Sequence, residues 1–327
     1  MSFIDKIRTD AVKRAKKIVL SESEDPRTID ALNYILDKRI AKIILIGKQD
    51  AVKKVKSKNL KDLEIIDPEK YKDTQVLASE YYEMRKAKGM TAEEANAAVT
   101  KDYLTFGALL VHRDIADGFV AGASHTTADT VRAALRCLKV DKSIGVVAGS
   151  FLMEVPDSPY GEKGVFIFAD CGVNPEPNAR QLAGIAVLSA NLFQQLVGVT
   201  PRVAFLSYSS KGSAEGPLVE KVKEAVRKAR EMSSDIHIDG ELQVDSAIVP
   251  EVAKIKCPAS DVAGKANVLI FPDLNSGNIS YKLVQRLAGA RAVGPLLMGL
   301  TRPASDLSRG CNADDIIDAV AVTAVRA

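Results

Sequence analysis

With 327 residues, 46% of them hydrophobic, the chain can bury a substantial core as one large or two modest domains. Its 45 lysines and arginines barely exceed its 42 aspartates and glutamates, giving a formal net charge of +3. No general field therefore draws in nucleic acid or an anionic membrane surface, and any anion must be held locally. Cys137, Cys171, Cys257 and Cys311 lie far apart with no CxxC or Cys/His spacing, which argues against a disulfide framework or a zinc site and fits a reducing compartment.

Along the chain, MSFIDKIRTDAVKRAKKIVL spaces its apolar residues as an amphipathic helix does, with charges throughout, unlike a secretory signal. No segment reads as long and apolar enough to span a bilayer, so the expected location is the cytoplasm. The runs KIVLS, AKIILIG, LEIID and DGFVAG read as strands, alternating with helical periods in PRTIDALNYILDK and DTQVLASEYYEMRKAKG. Strands this apolar, interleaved with helices, predict an α/β protein with a parallel sheet covered on both faces. From about residue 144 the character changes: IGVVAGSFLMEV and GVFIFAD flank the turn-rich PDSPYGEKG and read as an antiparallel pair. Then follow the helix NARQLAGIAVLSANLFQQL, the strand RVAFLSYS, the helix EGPLVEKVKEAVRKAREM and the strands IHIDG and NVLIFPD, with DDIIDAVAVTAVRA as a closing helix. A second α/β domain is expected to begin near residue 144, and the order of elements leaves open whether the closing helix returns to the first; the organisation expected is a first α/β domain of residues 1–143 and 294–327, carrying the C-terminal helix, and a second of residues 144–293. Ligands commonly sit in a cleft between two such halves.

Four places could carry chemistry. GFVAGASHTTADTVRAAL, residues 118–135, has the order strand, small-residue turn, hydroxyl-rich loop, helix. Ser124, Thr126 and Thr127 stand where hydroxyls and free backbone N–H groups at a helix start can converge on an anion. The competing reading makes Thr126 or Thr127 a plain N-cap, with Asp129 completing a capping-box-like pattern. Arg132 reads equally as a site residue or as a solvated helix residue, whereas Arg85, near a helix end, suits a role against the helix dipole. His125 beside Ser124 invites a hydrolase triad, but there is no GxSxG elbow and no third member is evident, so that reading is rejected. Asp239, Glu241, Asp245 and Asp273 show no spacing that picks out a metal geometry, and SSKGSAEG carries only a weak phosphate hint. No metal is expected. In SDLSRGCNADD, residues 305–315, an arginine stands beside a hydroxyl and close to two carboxylates, a pattern suited to an anion and a proton.

The motifs SEDPRT, GASHTTADTVR, FADCGVNPEP, SYSSKGSAEGP, DGELQVDSAIVP, ANVLIFPDLNSGNISYKLVQRL and DLSRGC together make the chain resemble the phosphate acetyltransferases, in their short form, over nearly its whole length. The resemblance implies two α/β domains with a central cleft, similar to isocitrate and isopropylmalate dehydrogenases, usually as a homodimer. It implies reversible acetyl transfer between acetyl phosphate and coenzyme A, giving acetyl-CoA and inorganic phosphate, with CoA as substrate and no tightly bound cofactor. Phosphate butyryltransferase, or another short-chain phosphate acyltransferase, is the alternative. By position, the family's catalytic serine and arginine fall on Ser308 and Arg309, its proposed base on Asp315, and its further site arginines on Arg85 and Arg132. One departure is Ser158, where some members carry a cysteine.

Such a reaction needs the thiol of CoA to attack the acetyl carbonyl as phosphate departs. Arg309, helped by Arg132 and Arg85, suits the phosphate because its planar fork matches phosphate oxygens and stays charged. Ser308 suits a hydrogen bond to the carbonyl oxygen. Full proton transfer from a thiol near pKa 8.5 to a carboxylate near 4 would cost about 6 kcal/mol, so Asp315 must act in concert with attack or in a shifted environment. Cys311 reads as a small structural residue.

Overall fold

The computed structural model describes residues 2–327. Packing divides the chain into two units: Met1–Val140 with Leu300–Ala327, and Asp141–Gly299.

The first unit opens with α1 (Phe3–Arg14), capped by the Ser2 side chain on the Asp5 N–H. It continues through β1 (Lys17–Leu20), α2 (Pro26–Lys38), β2 (Lys42–Ile46), β3 (Leu63–Ile66), α3 (Thr74–Arg85), α4 (Ala92–Lys101), α5 (Tyr103–His112), β4 (Gly118–Ala121) and α6 (Thr127–Cys137). The start of α2 is fixed by Asp25, which accepts the Arg27 N–H, and by Pro26, whose missing N–H costs nothing in a first turn. In this unit two helices escape the sequence reading. In α4 the signal is a Thr91–Glu94 capping box. In α5 there is no period to see, because every residue from Leu104 to Val111 is buried.

The second unit contains β5 (Ala148–Glu154), β6 (Val165–Ala169), α7 (Ala179–Val197), β7 (Arg202–Leu206), α8 (Pro217–Met232), β8 (His237–Leu242), α9 (Val244–Ile248), α10 (Pro250–Lys256), β9 (Val268–Ile270), α11 (Leu274–Leu287) and β10 (Arg291–Met298). Its strands run in the order β10-β5-β6-β9-β7-β8. β5 pairs antiparallel with both β10 and β6, and the other three pairings are parallel. The antiparallel pair expected around PDSPYGEKG is therefore present. Position 294, where the sequence reading placed a domain boundary, falls inside β10. Pro295 cannot donate to the ladder and the register shifts between Val293 and Leu296, but the strand resumes to Met298 and stays with the second unit.

The chain then returns to the first unit with β11 (Ala304–Asp306) and α12 (Ala313–Arg326). The first unit's strands lie in the order β3-β2-β1-β4-β11, all parallel. α12 is buried from Ile316 to Val325 and packs against α1 and α2, with an ion pair between Arg8 and Asp318 at 2.6 Å. In an open parallel sheet, chemistry gathers beyond the carboxyl ends of the strands. Here three neighbouring strands, β1, β4 and β11, end beside one another, and each is followed by a short loop and a helix start.

Candidate active site

The loop after β4 is organised by an anion, but that anion is internal. The Glu22 carboxylate accepts the backbone N–H groups of Gly122, Ala123, Ser124 and His125 at 3.0, 2.8, 2.8 and 3.1 Å. It also takes the Ser124 hydroxyl at 3.0 Å and His125 Nδ1 at 2.8 Å. Six groups converge on a side chain that is 5% exposed, so Glu22 occupies the seat that the sequence reading left for a bound phosphate. The N–H groups expected to be free, and the Ser124 hydroxyl, thus have an internal partner: burial demands that each find one, and Glu22 lies within reach. Thr126 likewise proves to be the N-cap of α6, its hydroxyl accepting the Asp129 N–H at 3.2 Å while donating to Asp129 Oδ2 at 2.6 Å. Those contacts, and Arg132 after them, hold the Asp129 carboxyl below the usual range. Arg132 is exposed and paired with Asp129 at 2.6 Å. Thr127, the first residue of α6, lies close to the Asp306 carboxyl. The His125 ring does meet a carboxylate, yet Ser124 directs its hydroxyl to the same carboxylate, so the rejected triad stays rejected.

The turn after β11 is anchored to that loop. The Leu307 N–H donates to Ala121 O at 2.8 Å. Arg27 then bridges the two segments: Nη1 donates to Arg309 O and Cys311 O, both at 2.8 Å, and Nη2 donates to Ala123 O at 2.6 Å. Nε and Nη2 also grip Asp25, at 3.0 and 2.6 Å, which holds that carboxyl below its ordinary value. Five donors in a rigid fork make this possible, and lysine could not span the same acceptors. Arg27 and Glu22 thus fix two loops whose ends would otherwise be mobile. Neither was assigned a role from sequence, although both lie in or beside SEDPRT.

On this frame, Ser308, Arg309 and Gly310 are exposed. Ser308 Oγ accepts the Gly310 N–H at 3.2 Å, so its proton remains available to another acceptor. The Arg309 guanidinium makes no ion pair among the described residues. Asp315 sits in the first turn of α12 and closes a capping box with Asn312: its N–H donates to Asn312 Oδ1 at 2.9 Å and its Oδ2 accepts the Asn312 N–H at 2.8 Å. Cys311 is buried, and burial pushes its thiol up to about 11, which suits a structural residue rather than a thiolate. Arg85, the last residue of α3, carries a buried Nε with no hydrogen-bond partner, beside Tyr81 and Cys137. No hydrogen bond or ion pair joins it to the Ser308–Arg309 turn.

In the second unit, the four acidic residues considered for metal all have structural employment. Asp239 pairs with Lys211, Arg230 and Ser260, and Glu241 accepts from Ser209 Oγ and the Gly212 N–H. Asp245 pairs with Lys256, and Asp273 caps α11 through the Ser276 N–H. Lys211 of the glycine loop is thereby held by Asp239.

The Phosphate acetyl/butaryl transferase family model matches residues 2–324. The chain belongs to that family. A phosphate acetyltransferase of Thermoanaerobacterium thermosaccharolyticum is 49% identical over 328 residues, covering 100% of both chains. The crystal structure of a phosphotransacetylase from Streptococcus pyogenes aligns with a TM-score of 0.90 at 39% identity, covering 99% of this chain and 97% of that one. A 4-hydroxythreonine-4-phosphate dehydrogenase from Burkholderia phymatum, 11% identical with a TM-score of 0.54 over 95% of this chain and 98% of that one, shares the fold alone. The expected kinship with dehydrogenase-like α/β folds is consistent with that alignment.

Proposed function

We propose that this phosphate acetyltransferase family member moves an acetyl group reversibly between acetyl phosphate and coenzyme A, giving acetyl-CoA and inorganic phosphate. The observation that carries the reading is the turn after β11, where an unpaired Arg309 and a hydroxyl with a free proton stand exposed on a rigid double-loop frame. Arg309 holds the phosphate and the charge that grows on it. Arg132 can join by releasing Asp129, an exposed exchange of small cost, and Arg85 supplies a third cation. Ser308 donates to the acetyl oxygen as it becomes an oxyanion, an interaction that can be worth about 3 to 4 kcal/mol. Asp315 receives the thiol proton through its carboxylate, in concert with attack. The thiolate displaces phosphate directly in a ternary complex, so no acetyl-enzyme forms and buried Cys311 stays outside the chemistry.

CoA enters as a substrate, and no tightly held cofactor is needed. The relatives named acetyltransferases favour acetyl over butyryl transfer. A homodimer is supported by α11, whose Ile279, Leu283 and Leu287 recur at four-residue intervals and are 57%, 52% and 82% exposed. A cytoplasmic setting fits free cysteines and an N-terminal helix that carries charges throughout; no helix among the described residues is long and apolar enough to cross a membrane. The test is thioester formation from CoA with acetyl phosphate and, separately, with butyryl phosphate. Acetyl-CoA formation several times faster than butyryl-CoA formation is expected, and the reverse order would overturn the substrate assignment.

A further inference from the structure

Asp306 ends β11, immediately before the Leu307–Cys311 turn, and has 0% exposure. Neither of its carboxyl oxygens has a hydrogen-bond partner among the described residues, although the hydroxyls of Thr127 and Thr130 on α6 lie close enough to act on it. The loop after β4 presses against it. Gly122 has φ +113°, and a Cβ built there would approach Asp306 Oδ1 to 2.3 Å and Leu307 O to 2.5 Å. Only glycine allows this approach, and the same glycine gives its N–H to Glu22. Two carboxyl groups thus flank one residue, and they are treated in opposite ways: Glu22 accepts six hydrogen bonds, whereas Asp306 makes none of full geometry and has only the Thr127 and Thr130 hydroxyls and the Leu307 N–H nearby.

An ionised carboxylate buried without donors, next to a second carboxylate, is a costly arrangement, whereas a neutral acid in the same place can donate one hydrogen bond. We propose that Asp306 is a positioning residue that works as a neutral carboxylic acid, its proton shared with the Thr127 or Thr130 hydroxyl, and that losing this proton weakens the grip of the Ser308–Arg309 turn on its anion. Neutral, it ties the end of β11 to the start of α6 and leaves Glu22 as the only charged carboxylate of the two that flank Gly122. Ionised, it sets a second buried negative charge behind the phosphate and against Glu22. The other charged groups around it are the Asp25–Arg27 pair on α2, His125 on Glu22, the Asp129–Arg132 pair on α6, and Arg309 and Asp315 beyond the turn, with Arg326 of α12 bonded to Ala304 O at the far end of the strand. Burial, with Glu22 adding to it, pushes the Asp306 carboxyl up to about 7, so the change falls within the neutral range.

This role rests on the acyltransferase reading of the same turn, and its test separates the two. The wild type, Asp306→Asn and Asp306→Ala are compared from about pH 6 to about pH 8.5 for the KM of acetyl phosphate and for thermal midpoint. The wild-type KM should rise by about fivefold or more across that range while that of Asp306→Asn stays within about twofold, with kcat near pH 6.5 within about threefold of wild type. Asp306→Ala, which has no proton to share, should bind acetyl phosphate weakly at every pH. Asp306→Asn should also melt above wild type by a margin that widens as pH rises. Equal damage from Asn and Ala near pH 6.5, or a margin that does not widen, would overturn the proposal. The melting comparison needs no turnover, so a protein inactive with acetyl phosphate would sink the functional reading and still decide this one.

Discussion

Two loops, one in each unit, are built around a buried carboxylate, and only one of them has anything left over. In the second unit Asp170 is 1% exposed and accepts the N–H groups of Gly149, Gly172, Val173 and Asn174 at 3.2, 2.8, 3.0 and 3.0 Å, together with Asn174 Nδ2. Burial pushes that carboxyl up, and these donors pull the other way. In the first unit Glu22 is served as completely, but among the described residues Arg309 makes no ion pair, the buried Arg85 Nε elsewhere in the unit has no acceptor, and Asp306, across Gly122 from Glu22, makes no hydrogen bond of full geometry. A loop that only needs holding has its polar groups matched. On the proposed reading, a site that must grip a passing anion and handle a proton keeps some of them unmatched.

The comparison can be broken at several points. The largest effect is expected from Arg309→Ala, which should lower kcat/KM for acetyl phosphate by about 10² to 10³ while shifting stability by less than about 0.5 kcal/mol, because the side chain is exposed and unpaired. Steady-state rates and denaturant melts check both halves. Next come the paired variants Glu22→Gln and Asp170→Asn. Each loses a set of charge-assisted bonds and should cost about 3 kcal/mol of stability, but only Glu22→Gln should also depress the kcat of the folded fraction, by about tenfold or more. Equal losses of kcat in both would erase the distinction between the loops.

Asp306→Asn is expected to be stabilising, with a sign that depends on pH. The folded value, about 7, lies above the ordinary 3.8, so the folded state holds a proton that the unfolded state has released across that window. Stability conferred by the proton is complete below about pH 4 and is lost as pH rises toward 7. The variant escapes this loss and should gain up to about 4 kcal/mol over wild type by pH 8, with little difference near pH 4. Denaturant midpoints at the two pH values measure it. The smallest effect belongs to Cys311→Ser, which should leave kcat within about threefold, since the thiol is buried, raised and outside the transfer step.

The α/β class and most strands were readable because parallel strands leave dense β-branched runs such as KIILI and VFIFA. The helix α5 was not, because burial on all sides removes the polar half of the pattern. Ser308 and Arg309 stood out in the sequence through SDLSRGC, and the structure leaves both exposed, as the proposed anion-binding role requires. The loop after β4 was read as open when it is filled, since Glu22 lies 100 residues from Gly122 and no local spacing links them. Arg27 was hidden for the same reason, its acceptors at Arg309 and Cys311 lying 282 and 284 residues away. Asp306 carries no local mark at all. It becomes visible only when three strand ends are set side by side and one carboxyl proves to have no partner.

The most direct test of the central claim, that the Ser308–Arg309 turn is where acetyl phosphate is held for transfer, is thioester formation from CoA and acetyl phosphate by wild type and Arg309→Ala at matched thermal stability. Rapid acetyl-CoA formation by the wild type, with a loss of about 10² or more in the variant, is the predicted result. Undiminished thioester formation by Arg309→Ala would place the chemistry elsewhere in the molecule and contradict the account.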